Sequence, residues 1–102
     1  MAVEEFMDSS TLIAIANDLI VDAGAPLTEA ETFVFKWQYK RAMGSFRTAL
    51  TEAIICADFG NLARLYKAFP DEVVGYVAFG HSADWWPRVQ EKLLRDGLLQ
   101  GA

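Results

Sequence analysis

Residues 43–79 alternate apolar helical stripes with residues that begin or end helices. The run Asp58-Phe59-Gly60-Asn61 indicates a turn, and we expect Asn61 to cap the helix that follows. Pro70 disfavours helical backbone at the residue before it and suits the first turn of a new helix. The stretch therefore predicts three short amphipathic helices. Their apolar stripes are Phe46, Ala49, Leu50, Ala53, Ile54 and Ala57, then Leu62, Leu65, Tyr66 and Phe69, then Val73, Val74 and Val77.

Two more helical signals precede this stretch. The run Thr28-Glu29-Ala30-Glu31 is a capping box, in which the Thr28 hydroxyl and the Glu31 carboxylate accept from each other's backbone amides. Phe33, Phe35, Trp37 and Tyr39 also alternate as in a strand, but the capping box favours a helix. An earlier helix, capped by Ser9 or Ser10 and ended by Gly24, is indicated by a buried stripe. That stripe consists of Leu12, Ile15, Ala16, Leu19 and Ile20.

The pattern leaves open whether residues 28–57 form one helix or two, because Gly44 either bends or interrupts the chain and Ser45 can cap a new helix. A last helix is expected to follow Ser82 or Asp84, to face Val89, Leu93 and Leu94 inward, and to end at Gly97. The 102 residues are thus expected to form a single helical domain, residues 1–102, of the all-α class with five or six short helices.

Charge and composition exclude several classes of function. The chain has 14 acidic and nine basic residues, and this net charge of −5 argues against direct nucleic-acid binding. The N-terminus lacks a basic segment and its apolar run ends at Val21, so we expect neither a signal peptide nor a membrane span. We therefore expect a cytoplasmic protein, in a bacterial host if the chain is phage-encoded.

No catalytic motif or metal-spaced cluster of histidines and cysteines is present in the sequence. The single cysteine, Cys56, lies in an apolar run and is expected to be buried and inert. The single histidine, His81, is expected in a solvated loop. The carboxylates at good positions have structural uses, as in the capping box. We therefore expect a non-enzyme with no catalytic residue, no metal and no cofactor.

Two sets of residues are candidates for a binding surface. The first is the aromatic–basic cluster of Phe35, Lys36, Tyr39, Lys40, Arg41 and Arg47. Such a face can bind a phosphate or nucleotide by charge and stacking. It can equally pair with an acidic patch on another protein or on a second copy of the chain. The third alternative is a solvated basic face that balances the acidic N-terminal part. The second is Trp85-Trp86, whose adjacent positions on a helix place one ring in the core and the other near the surface, as a lid or as an interface anchor.

Residues 43–86 also carry a set of helix-core and cap positions found in known sequences: Ser45-Phe46, Thr48-Ala49-Leu50, Ala53-Ile54, Ala57-Asp58, Asn61-Leu62, Leu65 and Phe69-Pro70-Asp71-Glu72-Val73. This set resembles a family of small uncharacterised all-helical proteins encoded by bacteriophages and prophages. In those relatives a further aromatic residue and a tryptophan-containing segment often follow, as Tyr76 and Trp85-Trp86 do here. The resemblance implies a phage origin and carries no catalytic residue across.

Small acidic phage proteins without catalytic motifs look like accessory factors that disable a host protein. We expect such a non-enzymatic inhibitor here, with an anti-CRISPR-type defence complex as one class of target. Glu4, Glu5, Asp8 and Asp18 would then face a nucleic-acid-binding groove of the target. The alternatives are a sponge for a small phosphorylated or nucleotide ligand and a virion structural or assembly protein. A homodimer is a further option, because the two ends of the chain differ in charge.

Overall fold

The computed structural model describes residues 8–99, and this part of the chain contains six α-helices and no strand. The prediction of an all-α single domain is confirmed, and residues 28–57 form two helices. None of the helices among the described residues has the length and apolar character needed to cross a membrane. The helices are α1 (Ser9–Asn17), α2 (Glu29–Gln38), α3 (Ser45–Cys56), α4 (Phe59–Ala68), α5 (Pro70–His81) and α6 (Trp85–Arg95).

Helix α5 lies at the centre of the fold and contacts α1, α2, α4 and α6. Val73, Val77 and Ala78 are fully buried on it, and Pro70 begins it as the sequence predicts. Helix α2 crosses it closely at Gly75, where an added Cβ would lie 2.9 Å from the carbonyl oxygen of Ala30. Because α5 is covered on several sides, its apolar residues extend beyond a single stripe.

The helix caps confirm two predictions, at α2 and α6, and correct three. In the capping box, Thr28 Oγ1 accepts from the Glu31 amide at 3.2 Å, and Glu31 Oε1 accepts from the Thr28 amide at 3.0 Å. The caps predicted for α1, α3 and α4 are wrong, because an aspartate or glycine one or more residues earlier occupies the N-cap position, whereas Asp84 precedes α6 as one of the two expected residues. Asp8 replaces Ser9 or Ser10 at α1, Gly44 precedes Ser45 at α3, and Asp58 replaces Asn61 at α4.

Helix α1 is shorter than its apolar stripe predicts. It ends at Asn17, and the amide of Asp18 donates to the carbonyl oxygen of Ala14. Asn and Asp compete with helical backbone through their own side chains, and β-branched residues follow, so the helix does not reach Gly24. Ile20 consequently lies outside the helix with 82% of its surface exposed, where the stripe predicted burial.

Helix α3 packs through only one side. Leu50 and Ile54 are buried, but Phe46 is 63% exposed and Ala49, Ala53 and Cys56 also face solvent. The prediction of a buried Cys56 is therefore wrong. The line through these exposed positions, at spacings of three and four residues, runs along the side of the helix turned away from the core. Leu94 on α6 is likewise about half exposed, where an inward position was expected.

Candidate functional site

The C-terminal part of α2 and one side of α3 border a shallow groove of about 290 Å³, here named the α2–α3 groove. Its basic members are Lys36, Lys40 and Arg41, which brings half of the predicted aromatic–basic cluster together. Its apolar members Trp37, Met43 and Ile55 come from both helices and from the connection between them. The full lining is Lys36, Trp37, Lys40, Arg41, Met43, Thr48, Thr51, Glu52 and Ile55.

The α2–α3 groove has more basic than acidic side chains in its lining. Among residues 8–99 the ion pairs are Arg47–Glu72, Lys92–Glu31 and Arg95–Asp96, so neither Lys36 nor Lys40 belongs to one. Glu52 is the groove's one carboxylate against its three cations. The groove therefore presents positive charge beside apolar surface, within a protein whose net charge is −5. This arrangement suits an anionic group attached to an apolar one.

Arg41 is held in place by two contacts outside the groove. Its guanidinium carbon lies 5.3 Å from the centroid of the Phe35 ring, within the range of a cation–π interaction. Its Nη2 donates to the carbonyl oxygen of Leu98, in the turn after α6, at 3.3 Å. These contacts fix the Arg41 side chain between α2 and the end of α6.

Lys40 occupies a backbone conformation that usually selects glycine. Its φ is +53°, in the left-handed region. The Lys40 amide donates to the Trp37 carbonyl oxygen at 3.4 Å and the Arg41 amide donates to the Lys36 carbonyl oxygen at 2.8 Å. This pair of bonds is a Schellman motif, whose left-handed position is most often glycine. A lysine there retains a cation at the edge of the groove at some expense of backbone energy.

Arg47 is turned away from the α2–α3 groove. It forms an ion pair with Glu72, which is buried on α5, and so ties α3 to the centre of the fold. It borders a neighbouring hollow of about 270 Å³ that Lys36 and Met43 also line. Lys36 therefore lies between the two depressions. The hollow is lined by Glu29, Thr32, Phe33, Lys36, Met43 and Arg47.

The aromatic candidates form a cluster between α2 and α6. The Phe35 and Tyr39 ring centroids are 5.7 Å apart, and those of Tyr39 and Trp86 are 6.2 Å apart. Phe35 and Trp85 are only 7% and 2% exposed, so neither offers surface to a partner, whereas Trp86 is half-buried. The expectation that one tryptophan packs and the other lies near the surface is confirmed. Tyr39 and Trp86 are the ring candidates that remain accessible.

A buried ion pair joins α2 and α6 and was not predicted from the sequence. Lys92 Nζ donates to Glu31 Oε1 at 2.7 Å and to the Pro26 carbonyl oxygen at 3.1 Å. Both charged side chains are 1% exposed. A signal was present, because Lys92 follows Val89 by three residues and precedes Leu93, on the inward stripe of α6. The pair closes the core around the capping box and gives no sign of a ligand site.

Of the acidic residues expected to face a target, Glu4 and Glu5 lie outside the described residues. Asp8 and Asp18 are exposed. The pKa of Asp8 is lowered, first by the hydrogen bond from the Thr11 backbone amide and then by those from the Ser10 and Thr11 hydroxyls. The Asp8 carboxylate therefore caps the N-terminus of α1.

His81 is the last residue of α5 and is exposed, although a loop position was expected. Within residues 8–99 no group of three or more His, Cys, Asp or Glu side chains could hold a metal ion. Comparisons of the chain with protein-family models, curated proteins and solved structures found no match. Function is therefore inferred from the chemistry of the groove.

Proposed function

We propose that this protein is a non-enzymatic accessory factor that binds another protein through the α2–α3 groove. In the phage or mobile-element setting that the resemblance implies, the partner is a host protein that is inhibited by being covered, and an anti-CRISPR-type defence complex is the leading class of target. The observation that carries the proposal is that two lysines outside the ion pairs of residues 8–99 lie beside exposed apolar surface at Ile55. An acidic segment with an apolar side chain has the complementary chemistry.

The shape of the groove favours a protein partner over a small ligand. Small-molecule sites usually enclose about 300–1,000 Å³ and bury most of the ligand. The α2–α3 groove holds about 290 Å³, and Lys40, Arg41 and Ile55 on its lining are exposed. A sponge for a phosphorylated or nucleotide ligand is the second candidate, because Lys36 joins two adjacent depressions and provides a cation to both.

The exposed native cysteine allows a direct test. Cys56 is the single cysteine of the chain and directly follows Ile55 of the groove, so a thiol-reactive photo-crosslinker can be attached there without engineering. The labelled protein is illuminated in a bacterial host lysate and its crosslinked products are identified by mass spectrometry. We expect one host protein to be captured in stoichiometric amount.

A charge-reversed variant shows whether capture depends on the groove. The double substitution Lys36→Glu and Lys40→Glu should abolish capture of that protein. The matched control, Arg64→Glu with Lys67→Glu on α4, makes the same change in net charge at exposed positions outside the groove and should leave capture intact. Equal capture by both variants would contradict the groove as the binding site. A small anion retained in native mass spectrometry, with no captured protein, would favour the sponge.

The variant Lys40→Gly separates folding from binding. Glycine relieves the left-handed backbone of residue 40, so we expect the free energy of unfolding to rise by up to about 1 kcal/mol. Because the same change removes a groove cation, capture of the partner should fall. Unchanged capture by this more stable variant would remove Lys40 from the site.

A further inference from the structure

The connection between α1 and α2 contains a segment whose chemistry complements the α2–α3 groove. Residues 18–22, here named the acidic loop, are Asp18, Leu19, Ile20, Val21 and Asp22. Ile20 is 82% exposed, more than any other large hydrophobic residue in the described part of the chain. Asp18 and Asp22 are exposed on either side of it and belong to no ion pair within residues 8–99. An apolar side chain between two carboxylates therefore projects into solvent.

We propose that the acidic loop of a second copy of this chain binds in the α2–α3 groove. Ile20 of one copy would cover the apolar members of the groove, and Asp18 and Asp22 would pair with Lys36 and Lys40 of the other copy. The proposal rests on the groove being a binding site, as in the proposed function, and names a ligand for it that the chain itself supplies.

The spacing of the charges is compatible with this contact. Lys36 lies on α2 and Lys40 lies two residues beyond its end, so their Cα atoms are at most about 13 Å apart, and their long side chains can spread further. The two aspartates are also four residues apart, which spans at most about 13 Å of extended chain. Asp22 Oδ1 accepts from the Gly24 amide at 3.0 Å, which orients this carboxylate at one end of the loop.

Self-association of this kind would regulate access to the groove. A five-residue loop buries less area than the roughly 1,200 Å² of a stable interface, so the contact belongs to the weak class. Reciprocal exchange of loops closes a two-fold dimer, whereas one-way exchange gives a chain that grows with concentration. In both arrangements a host partner with an acidic segment competes with the second copy for the same lysines.

Sedimentation velocity of the purified protein tests the proposal without any host component. We expect the weight-average sedimentation coefficient to rise with concentration up to about 500 µM, as is typical of a weak interface, and to fall when salt is added. Ile20→Asp should weaken association at least about tenfold, because an aliphatic anchor is lost. The matched control Leu94→Asp replaces another exposed aliphatic residue, on α6, and should associate as the wild type does.

A charge-swap experiment assigns the contact to its two sides. The variant with Asp18→Lys and Asp22→Lys and the variant with Lys36→Glu and Lys40→Glu should each be monomeric alone. Mixed together, they should associate, because each loop then meets a groove of opposite charge. A monomeric wild type, association that survives Ile20→Asp, or a mixture that stays monomeric would overturn the proposal.

The two proposals fail in different experiments. A wild type that stays monomeric but captures a host protein through Lys36 and Lys40 would overturn self-association alone. Association that follows the charge-swap rule, with photo-crosslinks from Cys56 only to other copies of the chain, would uphold the further inference and overturn the host-binding function.

Discussion

Replacing Lys92 by methionine should remove a large part of the protein's stability. The substitution keeps the length of the side chain but removes the charge that lies 2.7 Å from Glu31 Oε1. Glu31 is left as a buried carboxylate whose one remaining hydrogen bond in the capping box comes from the Thr28 amide at 3.0 Å. Removing one partner of a buried pair costs about 3–5 kcal/mol. Because the hydrogen bond from the Thr28 amide remains and methionine fills the space, we expect the free energy of unfolding to fall by about 3 kcal/mol, near the lower limit of that range.

A second substitution distinguishes an unpaired charge from lost packing. In the double variant Glu31→Gln with Lys92→Met, neither position carries a buried charge, and glutamine still serves in a capping box. Replacing both members of a buried ion pair is often close to neutral. We therefore expect the double variant to be more stable than Lys92→Met alone, by about 1–3 kcal/mol, which makes the two substitutions strongly non-additive.

Urea unfolding followed by circular dichroism measures these differences, with linear extrapolation to water. A matched control lies three residues further along α6. Arg95 pairs with Asp96 at 2.9 Å, but their side chains are 45% and 34% exposed, so Arg95→Met should cost no more than about 1 kcal/mol. If Lys92→Met costs no more than Arg95→Met, or if the double variant is the least stable of the series, the reasoning from burial is wrong.

Three further predictions concern packing and titration. Gly75→Ala should destabilise the protein by about 1–3 kcal/mol in the same urea assay, because its Cβ would meet a backbone carbonyl oxygen of α2. Gly80→Ala on the same helix is the control: its Cβ meets nothing within 4 Å, so it should stabilise by up to about 1 kcal/mol. Trp85→Phe should cost less than a typical buried truncation, since its Nε1 is buried and has no hydrogen-bond acceptor among residues 8–99. A large fall in Tm on thermal unfolding would contradict this. The pKa of the Asp8 carboxyl group is lowered chiefly by the hydrogen bond from the Thr11 backbone amide, so an NMR titration should give a value below 3.8. The ionised Asp8 carboxylate therefore stabilises α1 fully above pH 3.8, and this stabilisation is lost as the pH falls through the lower pKa of Asp8 in the folded protein. Asp8→Asn should remove this pH dependence of stability.

The fold was predictable where the deciding interactions are local. The capping box joins Thr28 and Glu31 across one helical turn, and Pro70 restricts its immediate neighbour, so both boundaries follow from short stretches of sequence. The end of α1 was not predictable from its stripe, because Asn17 and Asp18 act against the apolar spacing of the residues that follow. The exposed side of α3 depends on which helices pack against it, which spacing alone does not specify.

The candidate site was predictable only in part. Spacing along one helix predicted that Lys36 and Lys40 lie together, but α2 ends at Gln38 and Lys40 reaches the groove from left-handed backbone beyond it. Ile55 joins them only because a break in the helical backbone makes α2 and α3 separate helices, which the sequence pattern did not decide. The break itself is made by a lysine in left-handed backbone, a position that sequence reasoning assigns to glycine. The separation of Arg47 from the cluster depends on its long-range ion pair with Glu72.

Stability and binding make opposite demands on Lys40, which makes it the most informative residue of the groove. Lys67 is also outside the ion pairs of residues 8–99, but it lies in a regular helix, as expected of an ordinary solvent-exposed lysine. Lys40 is in left-handed backbone, beside apolar surface, and shares the groove with Lys36, a lysine in regular helix that is also outside those ion pairs. Strained backbone is found at functional sites more often than elsewhere. A role as a solvated surface cation gives no reason for a lysine in this backbone conformation, whereas a role in binding does.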